Sequence, residues 1–185
     1  MAQKIQVTSD KTGSEEQIQG SDRRLNTSGR VDSRSYYSSR DDSLAFSLVW
    51  DDASSAAGDF ILTWENTDTT GKQLVIDSVG LNSENASSFK LHVVTGTPVG
   101  VSVTPVCLNL QSPVTAQANC VEAAGTAITG LTSAGVIDHA SVNADGHDEF
   151  RLDDRLRVGQ NQKIAIEYEQ GTTGRTWGVI FGFYE

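Results

Sequence analysis

The stretch DFILTWENTDTTGKQLVIDSVGLN, residues 59–82, decides the fold. Apolar positions alternate along it in two runs. Phe60, Leu62 and Trp64 alternate with Ile61 and Thr63, and Leu74, Ile76 and Val79 with Val75, Asp77 and Leu81. A period of two marks a β-strand with one buried face. Between the runs, Asn66, Asp68 and Gly71 supply turn chemistry. The pattern predicts two strands joined as a hairpin. A hairpin alone cannot hide its apolar face from water, so the rest of the chain must cover it.

Strands are expected on both sides of this stretch. LAFSLVW (44–50) sets Phe46, Leu48 and Trp50 against Ala45, Ser47 and Val49. DDASSAAG (51–58) reads as a loop and SENASS (83–88) as a turn. FKLHVVTG (89–96) alternates Phe89, Leu91 and Val93 with Lys90 and His92, which puts His92 on the solvent side. VSVTPVCLNL (101–110) is extended, and Pro105 marks an edge or a bulge because it cannot donate to a ladder. Residues 111–146 are weakly patterned and predict long loops, short strands or one helical turn. DEFRLDDRLRV (148–158) reads as a strand and a bend, and QKIAIEYE (162–169) as a strand. In RTWGVIFGFYE, Trp177, Val179, Phe181 and Phe183 face one way and Gly178, Ile180, Gly182 and Tyr184 the other. Glycines at alternate strand positions call for close approach by a neighbour.

Roughly eight short strands with regular turn signals, and no long amphipathic helix, predict an all-β fold: an antiparallel β-sandwich of jelly-roll type. An immunoglobulin-type domain is disfavoured, since Cys107 and Cys120 are too close in sequence for its inter-sheet pair.

Composition divides the 185-residue chain near Ser43. Residues 1–43 are polar and predict an extended N-terminal arm; residues 44–185 form the sandwich body. The arm holds seven Lys and Arg against seven Asp and Glu. The body holds seven against 17, so the net charge of −10 resides there. An acidic body excludes phosphate tracking and anionic membrane surfaces as expected roles. No run of 18 apolar residues predicts a membrane-crossing helix. The start MAQKIQVTSDKTG lacks an apolar core of a secretory signal, so folding in a cytoplasm is expected. A disulfide between the two cysteines is not expected in that compartment.

Within the arm, RRLNTSGRVDSRSYYSSR (23–40) carries five arginines, two tyrosines and one Asp. Arginine forks pair with carboxylates, and tyrosine gives flat contact area at low entropic cost. Arg23, Arg24, Arg30, Arg34, Tyr36, Tyr37 and Arg40 are therefore the candidate partner-binding residues. Such a polar segment buries too little apolar surface to order itself, so a partner is expected to shape it. The same residues could grip single-stranded nucleic acid, but the seven acids of the arm neutralise it.

No catalytic motif stands out, and no enzyme activity, metal or other cofactor is expected. His139 and His147 flank a loop with Asp138, Asp145 and Asp148, but NADGHDE lacks the spacing and terminal Glu of a calcium loop. Asp51-Asp52 and Asp153-Asp154 could work as paired acids on a sugar; as strand-end doublets they read as solvated ends or turn caps.

The body resembles small jelly-roll virion proteins of tailed bacteriophages. The likeness lies in LAFSLVW, LTWENTDTTGKQLVIDSVGLN, FKLHVVTGTPVG and LRVGQNQKIAIEYEQGTTG with the strand after it. It implies a capsid decoration, or cement, protein: a homotrimer on the capsid exterior, bound to the major capsid protein and assembled in the host cytoplasm. An alternative is a head-fibre or tail adhesion protein binding host surface glycan, for which exposed tryptophans in a groove would speak.

Overall fold

The computed structural model describes residues 43–185, apart from the side chains at 151, 153 and 154, and two short strands nearer the N-terminus. Those two, β1 (Gln6–Thr8) and β2 (Glu15–Gln17), pair antiparallel with Val7 opposite Glu16.

The body contains β3 (Ala45–Ser55), β4 (Asp59–Asn66), β5 (Leu74–Ser83), β6 (Ser87–Val99), β7 (Val101–Val103), β8 (Val106–Cys107), β9 (Ala118–Glu122), β10 (Thr129–Val142), β11 (Gly146–Val158), β12 (Lys163–Gly171) and β13 (Gly174–Tyr184). They form a six-stranded sheet, β10-β6-β12-β4-β9-β7, and a five-stranded sheet, β11-β5-β13-β3-β8, with every pairing antiparallel. Setting β7, β8 and β9 aside, eight strands remain. In chain order the two sheets then read 6-3-8-1 and 5-4-7-2, which is a jelly roll. The expected all-β antiparallel sandwich is the observed fold. Residues 100–128, between β6 and β10, are an insertion that adds one short strand to the edge of the five-stranded sheet and two strands to the other.

The core lies between the sheets. Phe46, Leu48 and Trp50 of β3, Leu62 and Trp64 of β4, Phe89 and Leu91 of β6, and Ile164, Ile166 and Tyr168 of β12 are nearly or fully buried in it. Each such side chain contributes roughly 1.5–3 kcal/mol through the water it leaves.

Residues 59–82 hold two strands as expected, but they are not a hairpin. β4 belongs to the six-stranded sheet and β5 to the five-stranded sheet. The connection climbs from one layer to the other, and two side chains hold it. Asn66, fully buried, donates from Nδ2 to Lys72 O (3.0 Å) and Val158 O (2.9 Å) and accepts from Asp68 N at 2.9 Å. Asp68 Oδ1 then accepts from Thr70 N, Thr70 Oγ1 and Lys72 N. A hairpin loop would have left Asn66 at the wet end of a ladder.

Bulges shift two face assignments. The β13–β5 register slips around Asp77, so Leu81 joins Leu74, Ile76 and Val79 on the core side. The β12–β4 register slips at Glu167, so Phe60 leaves the inward series while Leu62 and Trp64 keep it. Two predicted loops are partly strand. β3 runs through Asp51–Ser55, and β9 and the 14-residue β10 occupy much of 111–146. Pro105 sits, as expected, between two edge strands, β7 and β8, in different sheets.

Gly178 and Gly182 of β13 lie on its core side. A Cβ at Gly178 would collide with Gly80 O and with the Trp50 ring, whose Cζ2 is 2.6 Å away. Gly178 is what lets the Trp50 ring of the neighbouring strand pack against β13.

Candidate interaction surface

With the even positions of β13 turned inward, its large odd residues lie on the other side, where Phe183 is buried with Ala45 and Val75. Trp177, Val179 and Phe181 are half-buried on the outer side of the five-stranded sheet. Val179 lies opposite Val49 of β3, which is 64% exposed. Ser47 on the same face lies opposite Val106 of β8, 57% exposed, and Leu108 follows at 41%. Leu108, Val106, Val49, Val179 and Phe181 thus form an aliphatic and aromatic stripe from the β8 edge to the central strand. Scattered apolar residues on a surface are ordinary; a contiguous stripe on one sheet face marks a contact site.

The stripe is bordered by neutralised charge. Asp51 accepts from Arg175 through Nε (2.8 Å) and Nη2 (2.5 Å). The Arg175 hydrogen bond holds the Asp51 carboxyl below its usual range, against a smaller opposing effect of desolvation. The same guanidinium sits 5.3 Å from the Trp177 ring centroid. Arg157 approaches Glu185 at 3.4 Å at the other end of the sheet. On a chain of net charge −10 this face therefore repels a second copy less than the average surface does.

Beneath the stripe's edge, Asp52 is a buried anchor, not the solvated strand end expected of it. It accepts from Ser55 Oγ at 2.6 Å and from Gly125 N at 2.5 Å, and Ser55 Oγ lies 2.7 Å from Thr176 Oγ1. One carboxylate ties the insertion to β3 and β13.

The outer face of the six-stranded sheet is different. It carries ion pairs across its strands: Lys90–Glu169 at 2.7 Å, His139–Glu169 at 3.5 Å and Lys163–Glu65 at 3.2 Å. Part of this face is dry, since Thr63, Val94 and Ala165 are buried there. His92 is buried with them, its side chain 4% exposed, where the alternation predicted a solvent position. Its Nδ1 lies 2.8 Å from Ser133 Oγ, and its Nε2 2.6 Å from Glu167 Oε2. The second approach is close but not aligned as a hydrogen bond. The Phe60 ring meets the imidazole edge-on at 5.5 Å.

The candidate arm residues Arg23, Arg24, Arg30, Arg34, Tyr36, Tyr37 and Arg40 lie outside the described residues. The structure does not bring His139 and His147 together. His139 is in β10 beside Lys90; His147 is in β11, in the other sheet, with Nδ1 3.2 Å from Asn82 Oδ1. The loop between them is a tight turn, with Asp145 at φ 53° and Gly146 N donating to Asn143 O. Cys107 and Cys120 are free, buried thiols in different sheets, and burial pushes the Cys120 thiol far above its usual range. The side chains of Asp153 and Asp154 are outside the described set. Trp50 and Trp64 are in the core.

The chain matches no protein-family model, and comparison with curated proteins and with solved structures gave no match.

Proposed function

We propose that this chain is a virion structural protein, a decoration or cement protein on the exterior of a tailed-phage capsid. In this reading the body self-associates as a homotrimer through the outer face of the five-stranded sheet. The arm, with its arginines and tyrosines, grips the major capsid protein. Assembly takes place in the host cytoplasm, and neither nucleic acid, membrane nor cofactor takes part.

The observation that carries the reading is the stripe of Leu108, Val106, Val49, Val179 and Phe181, bordered by paired charges. A jelly roll already has a complete core, so this second apolar surface is surplus to folding. Its supply of area suits a contact between copies, for which about 800 Å² per partner is usual. The glycan-binding alternative has less support, because Trp50 and Trp64 are buried and the half-buried Trp177 ring is approached by the Arg175 guanidinium at 5.3 Å.

The test is a pair of variants. Val49→Asp combined with Val106→Asp places unpaired charge in the proposed contact, a change worth roughly 3–5 kcal/mol when buried. Sedimentation velocity is expected to show the variant as a folded monomer where the parent is an oligomer. An unchanged oligomer would remove this face from the proposal. Deleting residues 1–42 is expected to keep the oligomer and abolish co-sedimentation with empty shells of the major capsid protein. Normal decoration by the truncated chain would refute the role given to the arm.

A further inference from the structure

Three strands adjacent in the six-stranded sheet, β10, β6 and β12, bring Ser133, His92 and Glu167 into one line. They are distant in sequence, and none is needed for the stripe on the opposite sheet. Ser133 is exposed, His92 is buried, and Glu167 is largely covered, its side chain 18% exposed. We propose that Ser133 is a nucleophile, with His92 as its general base and Glu167 as the group that steadies the imidazolium, and that the site accepts short, uncharged acyl esters.

The geometry is that of an activated hydroxyl: a nucleophile within hydrogen-bond reach of a base, and the base backed by a third group. For Ser133 Oγ to donate to Nδ1, the proton of the neutral ring must sit on Nε2. Nε2 itself lies 2.6 Å from Glu167 Oε2. The pair is unaligned in the resting structure, and such bonds tighten when a substrate charges the ring. The direct neighbour of His92 on β12 is the small, buried Ala165, and Phe60 closes the other side of the ring. Lys90, paired with Glu169, is the cation nearest to Glu167 in register.

Two further features fit an acyl substrate. The β10–β6 register slips between Ser133 and Gly135, which leaves Ala134 as the extra residue of a bulge. A bulge frees backbone from the ladder and re-aims side chains beside Ser133. Val136, opposite His92 and 47% exposed, gives an apolar shelf for a short acyl chain. The carboxylates nearby and the net charge of −10 disfavour anionic esters.

The chemistry balances without a further reagent than water. Ser133 Oγ attacks the carbonyl carbon as its proton moves to His92 Nδ1. The bond to the leaving alkoxide breaks, and His92 returns the proton to it as the alcohol departs. Water then gives its proton to His92 and attacks the acyl-serine. The acid is released, and Ser133 recovers its proton.

The test uses the full chain. A fluorophosphonate probe is expected to add once, on Ser133, as read by intact mass and peptide mapping. 4-Nitrophenyl acetate is expected to be hydrolysed faster by the native chain than by the heat-unfolded one. Ser133→Ala, an exposed substitution, is expected to melt as the parent does, lose the adduct and slow hydrolysis roughly 100-fold or more. Glu167→Gln is expected to keep the adduct site, slow the reaction, and shift the pH profile. The proposal is overturned if the native chain is labelled no faster than the heat-unfolded chain. It is equally overturned if Ser133→Ala hydrolyses the ester as fast as the parent, or if Glu167→Gln leaves both rate and pH profile unchanged. These outcomes do not depend on the oligomer, so they stand apart from the capsid reading.

Discussion

Replacing Gly178 by alanine adds one methyl group where the sandwich has no room. The new Cβ would stand 2.6 Å from Trp50 Cζ2 and closer still to Trp50 Cη2 and Gly80 O. Ordinary carbon contacts begin near 3.5 Å. Trp50 is 1% exposed and cannot swing aside, and Gly80 O belongs to the neighbouring strand β5. Overpacking of a core costs typically 1–3 kcal/mol, and an obstacle that includes backbone puts this site at about 3 or above. For a chain of this size each kcal/mol moves the melting point by roughly 2–4 °C, so a drop of about 6–12 °C is expected. Calorimetry or circular dichroism reads it. Gly135→Ala is the control, because a Cβ there meets nothing within 4 Å; it is expected to be neutral or stabilising by up to about 1 kcal/mol. Gly178→Ala combined with Trp50→Leu is expected to cost less than the sum of the two single changes. Loss of under about 1 kcal/mol for Gly178→Ala, with no coupling to Trp50, would refute the packing of the Trp50 ring against Gly178.

Asn66→Ala removes the donor to Lys72 O and Val158 O and the acceptor for Asp68 N, all at a buried site; a loss of about 2–4 kcal/mol in urea unfolding is expected, with Asn66→Asp no milder. Glu122 has its carboxyl pushed above the usual range, first by desolvation and further by Asp51 and Asp52, against a hydrogen bond from the Asp51 backbone. A raised folded-state value means the folded chain holds this proton more tightly than the unfolded one. The contribution is thus favourable at low pH and lost as pH rises through the window above the ordinary value of 4.5. Glu122→Gln is expected to raise the melting point at pH 7 and leave it nearly unchanged at pH 4; the opposite order would show the sign to be wrong.

The period-two runs made the strands legible because each has one wet and one dry face. LAFSLVW, FKLHVVTG and QKIAIEYE read directly as β3, β6 and β12. Which strands pair did not follow from them. The segment 67–73 suits a hairpin loop as well as a climb between sheets, and only the inward bonds of Asn66 decide. β10 was hidden because three register shifts break its alternation and it lies at a sheet edge, largely exposed on both faces. His92 was assigned its face correctly by parity but not its burial, since parity cannot tell that the outer face is dry beside Val94 and Ala165. Ser133, His92 and Glu167 become neighbours only through the jelly-roll strand order, which no local pattern carries. The stripe was half visible: the odd residues of β13 were placed on one face, but the side chosen for the core followed from Trp50 needing the glycines.

The most direct measurement is the mass of the full chain in solution by multi-angle light scattering across a wide dilution series. The account predicts three times the 19.8 kDa of one chain, held together down to low concentration. A single species at 19.8 kDa throughout would contradict it, because the stripe on the five-stranded sheet would then face water.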